Sequence, residues 1–568
     1  MLSLLQVRPE RSPIPGGRLL VPVLATLVFL AASNQAAASA PGVSPRHATR
    51  PASPVKTESG PVSGTLEAGG SVRVYKGIPY AAPPVGPLRW RPPQPVAPWT
   101  GVRQATEFGP SCPQADRSAF SIERLGKTSE DCLTLNVWAP VHPPGRRVPV
   151  IVWIHGGAFT QGSGSLAVYD GAALARRGAV VVTFNYRLGP LGFFAHPLLS
   201  KESSYDASGN YGLLDQLAAL RWVKANIRGF GGSPDRITVA GESAGAVSIG
   251  CLLVSPQARG LFHAAILESG TAYGITRYLR DAPAGEESME QVGELIARRL
   301  GCDREDDVLA ALRSRSVDEI MTASHPASPF FGEGIRFAPV VDRWLIPDRP
   351  AALLAGRQQL KVPVLVGSNL DEGTIFVAAL QGLDVDAYRR LIRAAFRDRA
   401  DDVLARFPVA RDADVKPALA RVLGYSSFVA PARRLARSMV DFGSRAYLYE
   451  FTRVRPGTPA MRLGAFHGAE VPFVFGTIGR LVPAGPTEVE AADRALSQAM
   501  MGYWIRFAAT GDPNGDVAAA WPRYASRGDV WLELGGEIQP RAGVAREVCD
   551  FFDQVAAERP LRSPGRFR

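Results

Sequence analysis

Residues 237–245 read Ile-Thr-Val-Ala-Gly-Glu-Ser-Ala-Gly, and this stretch decides the fold. Its first four residues are an apolar run typical of a buried strand, and small and apolar residues suited to a helix follow it. Between strand and helix stands Gly-x-Ser-x-Gly, the pattern of a sharp turn that exposes the serine hydroxyl. Bulky side chains at positions 241 and 245 would clash where the helix packs back against the strand, and Gly241 and Gly245 avoid that clash. The sequence therefore predicts Ser243 as a nucleophile.

Further short apolar runs precede and follow this strand, and they lack the clean alternation of half-exposed strands. They cover residues 148–154, 179–185, 264–267, 362–366 and 446–451. Helical patterns lie between them, for example at 211–226 and 289–300. Strands that alternate with helices predict an α/β fold, with a mostly parallel twisted central sheet covered by helices on both faces. In such a sheet the chemistry lies at the carboxyl ends of the strands.

A second glycine segment follows the run at 148–154, where the sequence reads His155-Gly156-Gly157. Acyl transfer requires backbone N–H groups aimed at the oxyanion of a tetrahedral intermediate, and adjacent glycines let the backbone approach a substrate. The alternative is a glycine turn without a catalytic role. The order of the two segments, with this one a strand motif before the serine turn, disfavours that alternative. We predict an oxyanion hole formed by the N–H groups of Gly156, Gly157 and Ala244.

A serine hydroxyl needs a general base, and the chain contains seven histidines. His467 follows the last predicted strand, as the hydrolase order nucleophile, acid, base requires. The surroundings of the others favour flexible, loop or structural positions, and these are His47, His142, His155, His196, His263 and His325. The acid should lie between Ser243 and His467, just after a strand. The run at 362–366 is followed by Asp371 and Glu372, which spacing alone does not separate.

Other motifs extend over nearly all of the chain after residue 60. They include Tyr-Lys-Gly-Ile-Pro-Tyr-Ala at 75–81, Ser-Glu-Asp-Cys-Leu-Thr-Leu-Asn-Val-Trp at 129–138, Asn-Tyr-Arg-Leu-Gly at 185–189, Gly-Asn-Tyr-Gly-Leu-Leu-Asp-Gln at 209–216 and Thr-Gly-Asp-Pro-Asn at 510–514. Together they resemble the type-B carboxylesterases, the cholinesterase-like branch of the α/β hydrolases. The resemblance implies a single catalytic α/β-hydrolase domain, over 59–555, that cleaves small-molecule carboxylic esters with no metal and no organic cofactor.

The same resemblance assigns residues that spacing leaves open. It implies that Glu372 is the acid and that Asp371 is its structural neighbour. It also places Glu242 and Glu470 near the triad, where they tune its electrostatics or hold the histidine loop. Finally, it implies a disulfide between Cys112 and Cys132, which bracket a short polar loop. Cys302 and Cys549 each match one cysteine of two further disulfides in the family. The positions where the family has the partner cysteines fall near alanines in this sequence, so we expect no second disulfide.

The predicted function is a bacterial-type serine carboxylesterase. The alternatives within enzymes are a lipase and a carbamate or aryl-ester hydrolase. The alternative from another class is a non-catalytic binding protein on the same scaffold. Members of that kind typically lose a triad residue, whereas Ser243, Glu372 and His467 are all present. A net charge of +11 raises the question of nucleic acid, but the basic residues are dispersed without a basic stripe, so no nucleic-acid partner is expected.

The N-terminus has the pattern of a secretion signal. Arginines precede an apolar run at 19–32, and small residues follow it at 36–40. Because a membrane span needs roughly 20 apolar residues, the alternative of a retained anchor is disfavoured. We predict a signal over 1–38, a flexible lead-in over 39–58 and a loose tail over 556–568. The protein is therefore expected to be secreted or periplasmic, without a stable membrane anchor.

Overall fold

The computed structural model describes residues 50–67, 69–114, 125–143, 147–283, 286–326, 334–456, 459–480, 489–516 and 519–557. The predicted signal at 1–38, most of the lead-in and all but two residues of the tail at 556–568 lie outside the described residues. Residues 50–58 of the predicted lead-in carry two short strands, Arg50–Pro51 and Val55–Lys56. The ordered structure therefore begins earlier than the boundary at residue 59.

One large sheet organises the part of the chain that the structure describes. Its strands, in spatial order, are Arg50–Pro51, Thr65–Glu67, Val72–Pro79, Thr134–Pro140, Val180–Phe184, Val148–Ile154, Gly232–Glu242, Ala264–Glu268, Val364–Asn369, Ala446–Phe451, Val530–Leu534 and Ile538–Ala542. Pairing is parallel from Val180–Phe184 through Val530–Leu534 and antiparallel at both edges. A small second sheet joins Val55–Lys56, Pro61–Ser63 and Arg103–Gln104. The predicted mostly parallel α/β fold is confirmed.

The central strands are buried on both faces. Along Val148–Ile154, alternate side chains enter two different apolar cores: Val150 and Val152 pack in one, and Ile151 and Trp153 in the other. The first core includes side chains of the helices Tyr211–Asn226 and Ala244–Val254, and the second includes those of Ala491–Thr510. Helices therefore cover both faces, which explains why these strands read as continuous apolar runs.

The helices of the described residues connect these strands. The α-helices are Ala172–Arg176, Gly189–Phe193, Pro197–Glu202, Tyr211–Asn226, Ala244–Val254, Met289–Arg299, Val308–Ser314, Val317–Ser324, Pro350–Ala355, Thr374–Ala378, Val385–Phe396, Ala400–Arg406, Val415–Gly424, Ala430–Asp441, Val471–Phe475, Ala491–Thr510 and Arg546–Ala557. A π-helical turn, Tyr425–Val429, joins two of them. Within the described ranges, none of these helices is both long and apolar enough to cross a membrane.

Candidate active site

The serine turn connects the longest central strand, Gly232–Glu242, to the helix Ala244–Val254. Ser243 stands between them with φ of 54° and ψ of −119°, a conformation that L side chains rarely adopt. Its N–H donates to the carbonyl oxygen of Glu268 at 2.9 Å, at the end of the next strand. A Cβ atom at Gly245 would lie 1.9 Å from the carbonyl oxygen of Ile154, so the turn requires glycine there. The packing of helix on strand thus holds the serine in its strained position.

The predicted oxyanion segment lies directly beside this turn. A Cβ atom at Gly156 would be 3.1 Å from the Cβ atom of Ser243 and 2.6 Å from a carboxylate oxygen of Glu242. Gly157 has φ of 104°, in the region that favours glycine. Ala244 is the first residue of the helix, where N–H groups have no partner within the helix. The structure therefore brings Gly156, Gly157 and Ala244 together around Ser243.

His467 and Glu372 form the other half of the site. Nδ1 of His467 lies 2.5 Å from Oε2 of Glu372, whose other oxygen accepts the N–H of Asn369 at 2.8 Å. Glu372 is 1% exposed, so water does not screen its charge from the imidazole. Two aromatic rings, Phe376 and Phe428, flank His467 at centroid distances of 5.0 and 4.6 Å. The imidazole is held by one buried carboxylate and packs against two rings that are stacked on each other.

Asp371 contacts the histidine loop rather than the histidine ring. Its Oδ2 accepts the N–H of Ala465 at 2.9 Å, and its own N–H donates to the carbonyl oxygen of that residue at 3.0 Å. A parallel bridge pairs Asp371 with Phe466, the residue before His467. The two adjacent acids that the sequence left open therefore occupy different places, one on the imidazole and one on the backbone that carries it.

Glu242 and Glu470 are buried beside the imidazole. Oε1 of Glu242 lies 3.0 Å from Nε2 of His467, although Nε2 makes no hydrogen bond to any described residue. Burial, and secondarily the charge of Glu372, raise the pKa of Glu242 to about 7. Burial lowers the pKa of His467, but the carboxylates of Glu242 and Glu372 outweigh it and raise that pKa above its usual value. The local field therefore favours the imidazolium.

Residues that sequence reasoning did not single out support the oxyanion segment. Gln114, two residues after Cys112, accepts the N–H of Gly162 at 2.8 Å and donates to its carbonyl oxygen at 2.9 Å. A disulfide joins Cys112 to Cys132, while Cys251, Cys302 and Cys549 are free and buried. Tyr186 donates to the carbonyl oxygen of His155 at 2.9 Å. The disulfide is the one that the family resemblance implied, whereas the contacts of Gln114 and Tyr186 depend on the fold and follow no short motif.

Burial makes His155 a poor proton carrier. It lowers the pKa of the imidazole to about 4, and the ring stacks on Tyr186 at 4.4 Å. Nδ1 of His155 lies 2.8 Å from the carbonyl oxygen of Gly156. These contacts fit a structural histidine within the oxyanion segment. Among the described residues, no cluster of three or more His, Cys, Asp or Glu side chains is arranged to hold a metal ion.

Comparison with known proteins agrees with this geometry. Residues 51–552 match the profile of the carboxylesterase family. The fumonisin B1 esterase of Sphingopyxis macrogoltabida is 40% identical over 495 residues, which cover 86% of this chain and 87% of that protein. The para-nitrobenzyl esterase of Bacillus subtilis (strain 168) is 38% identical over 494 residues, covering 85% of this chain and 95% of that protein.

A solved structure of PNB esterase superposes with a TM-score of 0.76 at 34% identity. It covers 88% of this chain, and 98% of that chain is matched. Both the sequence match and the structural match thus extend over most of the molecule and include the site. The chain therefore belongs to the carboxylesterase family and is a carboxylic ester hydrolase with the α/β-hydrolase fold.

Proposed function

We propose that Ser243, His467 and Glu372 form the catalytic triad, and that esters are cleaved through an acyl-enzyme on Ser243. The observation that carries the proposal is the contact of 2.5 Å between Nδ1 of His467 and Glu372. It fixes a proton on Nδ1 and leaves Nε2, which makes no hydrogen bond to a described residue, to accept a proton. Ser243, half-buried on its turn, is the nucleophile that this base would activate.

The proposed reaction has two halves. Nε2 of His467 takes the hydroxyl proton as Oγ of Ser243 attacks the ester carbonyl carbon. The N–H groups of Gly156, Gly157 and Ala244 stabilise the oxyanion, and the carboxylate of Glu372 stabilises the imidazolium. The imidazolium then protonates the leaving alcohol, which leaves an acyl group on Ser243. Water, deprotonated by the same imidazole, attacks this acyl group and releases the carboxylic acid.

The names of the relatives suggest where to look for substrates. One relative is named for fumonisin B1 and another for para-nitrobenzyl esters. We propose that small-molecule esters, with para-nitrobenzyl esters as the first probe, are substrates of this chain. A panel that varies acyl length and alcohol bulk separates a general esterase from a lipase or an aryl-ester or carbamate hydrolase, because pocket shape sets such preferences.

Replacement of the nucleophile tests the triad. Ser243→Ala should remove roughly 10³-fold or more of the turnover of a para-nitrobenzyl ester while the fold is kept. Ser314→Ala, on an exposed helix residue, is the matched control and should retain full activity. An organophosphate should label Ser243 in the wild type, and mass spectrometry locates the adduct. Turnover by Ser243→Ala close to that of the control would refute the assignment and favour a different nucleophile or a binding protein.

We also propose that the protein is exported, with one catalytic domain after the signal. The family profile over residues 51–552 supports a single domain, and the Cys112–Cys132 disulfide fits an oxidising compartment. N-terminal sequencing of secreted material should find a start between residues 36 and 41. Recovery of intact Met1 in a membrane fraction would instead identify an anchor.

A further inference from the structure

Four glutamates lie buried around the catalytic histidine. The exposed fractions of Glu242, Glu268, Glu372 and Glu470 are 7%, 0%, 1% and 0%. Within the described part of the chain, the ion pairs of this group involve a single partner, His467. Four ionised carboxylates would therefore bury three uncompensated negative charges, which costs several kcal/mol per ion. Some of these groups must retain their protons.

Glu268 is the member of the group that sequence reasoning did not identify. It ends the strand Ala264–Glu268, and its carbonyl oxygen accepts the N–H of Ser243 at 2.9 Å. Its Oε1 accepts the indole N–H of Trp504 at 2.8 Å. Its Oε2 is wholly buried and makes no hydrogen bond to any described residue. A buried carboxylate oxygen without a donor is costly, whereas a protonated one can itself donate.

Glu470 provides an acceptor close by. It lies three residues after His467, and its Oε2 accepts the side-chain N–H of Asn369 at 2.5 Å. Its Oε1 lies 3.4 Å from the hydroxyl of Ser269, the residue that follows Glu268. Among neighbouring charges, Glu470 has the largest influence on Glu268. The carboxyl group of Glu470 therefore lies beside the strand end that carries Glu268, close enough for their charges to interact.

The neighbouring strands close the space around this pair. Glu268 is in register with Gly367 on the adjacent strand, and Gly367 is in register with Tyr449 on the next. A Cβ atom at Gly367 would lie 2.2 Å from the ring of Tyr449, so the ring crosses the glycine toward Glu268. The hydroxyl of Tyr449 is buried and makes no hydrogen bond within the described residues. Among the described residues, His467 is thus the one ion-pair partner of the four acids, and the ring of Tyr449 covers the space beside Glu268.

We propose that Glu268 and Glu470 share one proton, and that this acid–carboxylate pair ties the strand end that holds Ser243 to the loop that holds His467. The proposal rests on the triad assignment given above. Glu268 and Glu470 are positioning residues in it, since neither contacts the reacting atoms. The shared proton fixes the separation between the nucleophile and its base, and it removes one negative charge from beneath the imidazole.

The pKa values of both groups are shifted upward, which favours retention of protons within the pair. Burial, and then the charge of Glu470, raise the pKa of Glu268 well above its usual value. Burial, and then Glu242 and Glu372, raise the pKa of Glu470 to about 8. The groups that face the pair are the carboxyl groups of Glu242 and Glu372, His467, the hydroxyl of Tyr449 and the indole of Trp504.

The sign of the pH dependence follows from these shifts. A glutamate whose folded pKa is raised stabilises the fold fully below its unfolded pKa of about 4.3. That contribution is lost as the pH rises through the folded value, which is about 8 for Glu470. The stability of the wild type should therefore decrease between about pH 5 and pH 9. Glu268→Gln should show a smaller decrease, because an amide donates a hydrogen to Glu470 without titrating.

Infrared difference spectroscopy tests the shared proton without using turnover. The wild type at pH 7 should show the carbonyl band of a buried protonated carboxyl group, and Glu268→Gln and Glu470→Gln should each lose it. Glu450→Gln is the matched control, because Glu450 is next to Tyr449 and burial raises its pKa to about 7. The control should keep the band of the pair. Spectra of Glu268→Gln and Glu470→Gln that both keep every protonated-carboxyl band of the wild type would overturn the proposal, even if the triad assignment were correct.

Kinetics test the positioning role. Glu268→Gln should keep kcat within about 3-fold at pH 7, because the amide preserves the hydrogen bond. Glu268→Leu, which removes it, should lower kcat about 10-fold or more with little change in KM, because the substrate contacts remain. Glu450→Gln should behave as the wild type. A folded Glu268→Leu with the kcat of the wild type would overturn the positioning role. If this variant does not fold, the infrared spectra and the kinetics of Glu268→Gln decide whether the proposal holds.

Discussion

Neutralising each of the two adjacent acids separates their roles more sharply than any other change at the site. Glu372→Gln keeps the shape of the side chain, and its amide oxygen can still accept the N–H of Asn369. Its NH₂ group, however, would face Nδ1 of His467, which lies 2.5 Å from the native carboxylate. Two N–H groups cannot face each other, so the imidazole would shift its proton to Nε2.

The surroundings of Nε2 stabilise that unproductive tautomer. Oε1 of Glu242 lies 3.0 Å from Nε2 and would accept its N–H. A base that carries its proton on Nε2 cannot take one from Ser243. Glu372→Gln also removes the negative charge that stabilises the imidazolium, and water does not screen this charge because the side chain is buried. By analogy with the loss of a triad carboxylate, we expect kcat to fall about 10³- to 10⁴-fold, or roughly 4–5 kcal/mol of barrier.

Asp371→Asn should behave differently. The amide oxygen can still accept the N–H of Ala465, so the histidine loop keeps its anchor and loses only a charge. We expect kcat within about 3-fold of the wild type and a loss of stability of about 1 kcal/mol. The assay is the release of the alcohol from a para-nitrobenzyl ester at saturating substrate, with thermal unfolding measured on the same preparations. A larger loss of kcat in a folded Asp371→Asn than in Glu372→Gln would refute this division of roles.

Two further predictions concern the framework around the site. A Cβ atom at Gly245 would lie 1.9 Å from the carbonyl oxygen of Ile154, so Gly245→Ala should lower the thermal midpoint by several degrees and remove most activity. Gly536→Ala is the control and should change neither, because the space around Gly536 is open. An unaltered midpoint in Gly245→Ala would contradict the tight turn. Cys112→Ser should cost roughly 3 kcal/mol in denaturant unfolding and loosen Gln114, while Cys302→Ser, at a free thiol, serves as the control. Alkylation of Cys112 and Cys132 without prior reduction would show that the bridge does not form.

The sequence predicted most of the parallel strands, because they are apolar on both faces, but not the parallel strand Val530–Leu534. The runs at 148–154 and 446–451 coincide with the observed strands, and the helix Tyr211–Asn226 has the predicted bounds. The antiparallel strands Val72–Pro79 and Thr134–Pro140 were not predicted. Their pairing is antiparallel, and one of them has a register shift, so no uninterrupted apolar run marks them.

The immediate neighbours of the serine were also accessible from sequence, because the turn, the oxyanion glycines and the histidine each belong to a local pattern. Spacing did not separate the roles of Asp371 and Glu372, which only the family resemblance assigned, because their placement depends on where residues 464–467 fold back against residue 371. The place of Glu268 near the site could not be predicted from the sequence either. An acid at the end of an apolar strand has no motif of its own, and its role depends on residues about 200 positions away, Glu470 among them.

The number of charges around the imidazole limits how this site can work. Each ionised carboxylate stabilises the imidazolium, and in the proposed mechanism one such group, Glu372, suffices to support proton transfer from Ser243. Further carboxylates would raise the pKa of His467 until the ring stays protonated and ceases to act as a base. Since Glu242, Glu268 and Glu470 are all buried nearby, catalysis at neutral pH requires that most of them remain neutral. A proton held between Glu268 and Glu470 removes one of these charges, with the same contact that joins the nucleophile to its base, and burial, which raises the pKa of Glu242 to about 7, favours the removal of a second.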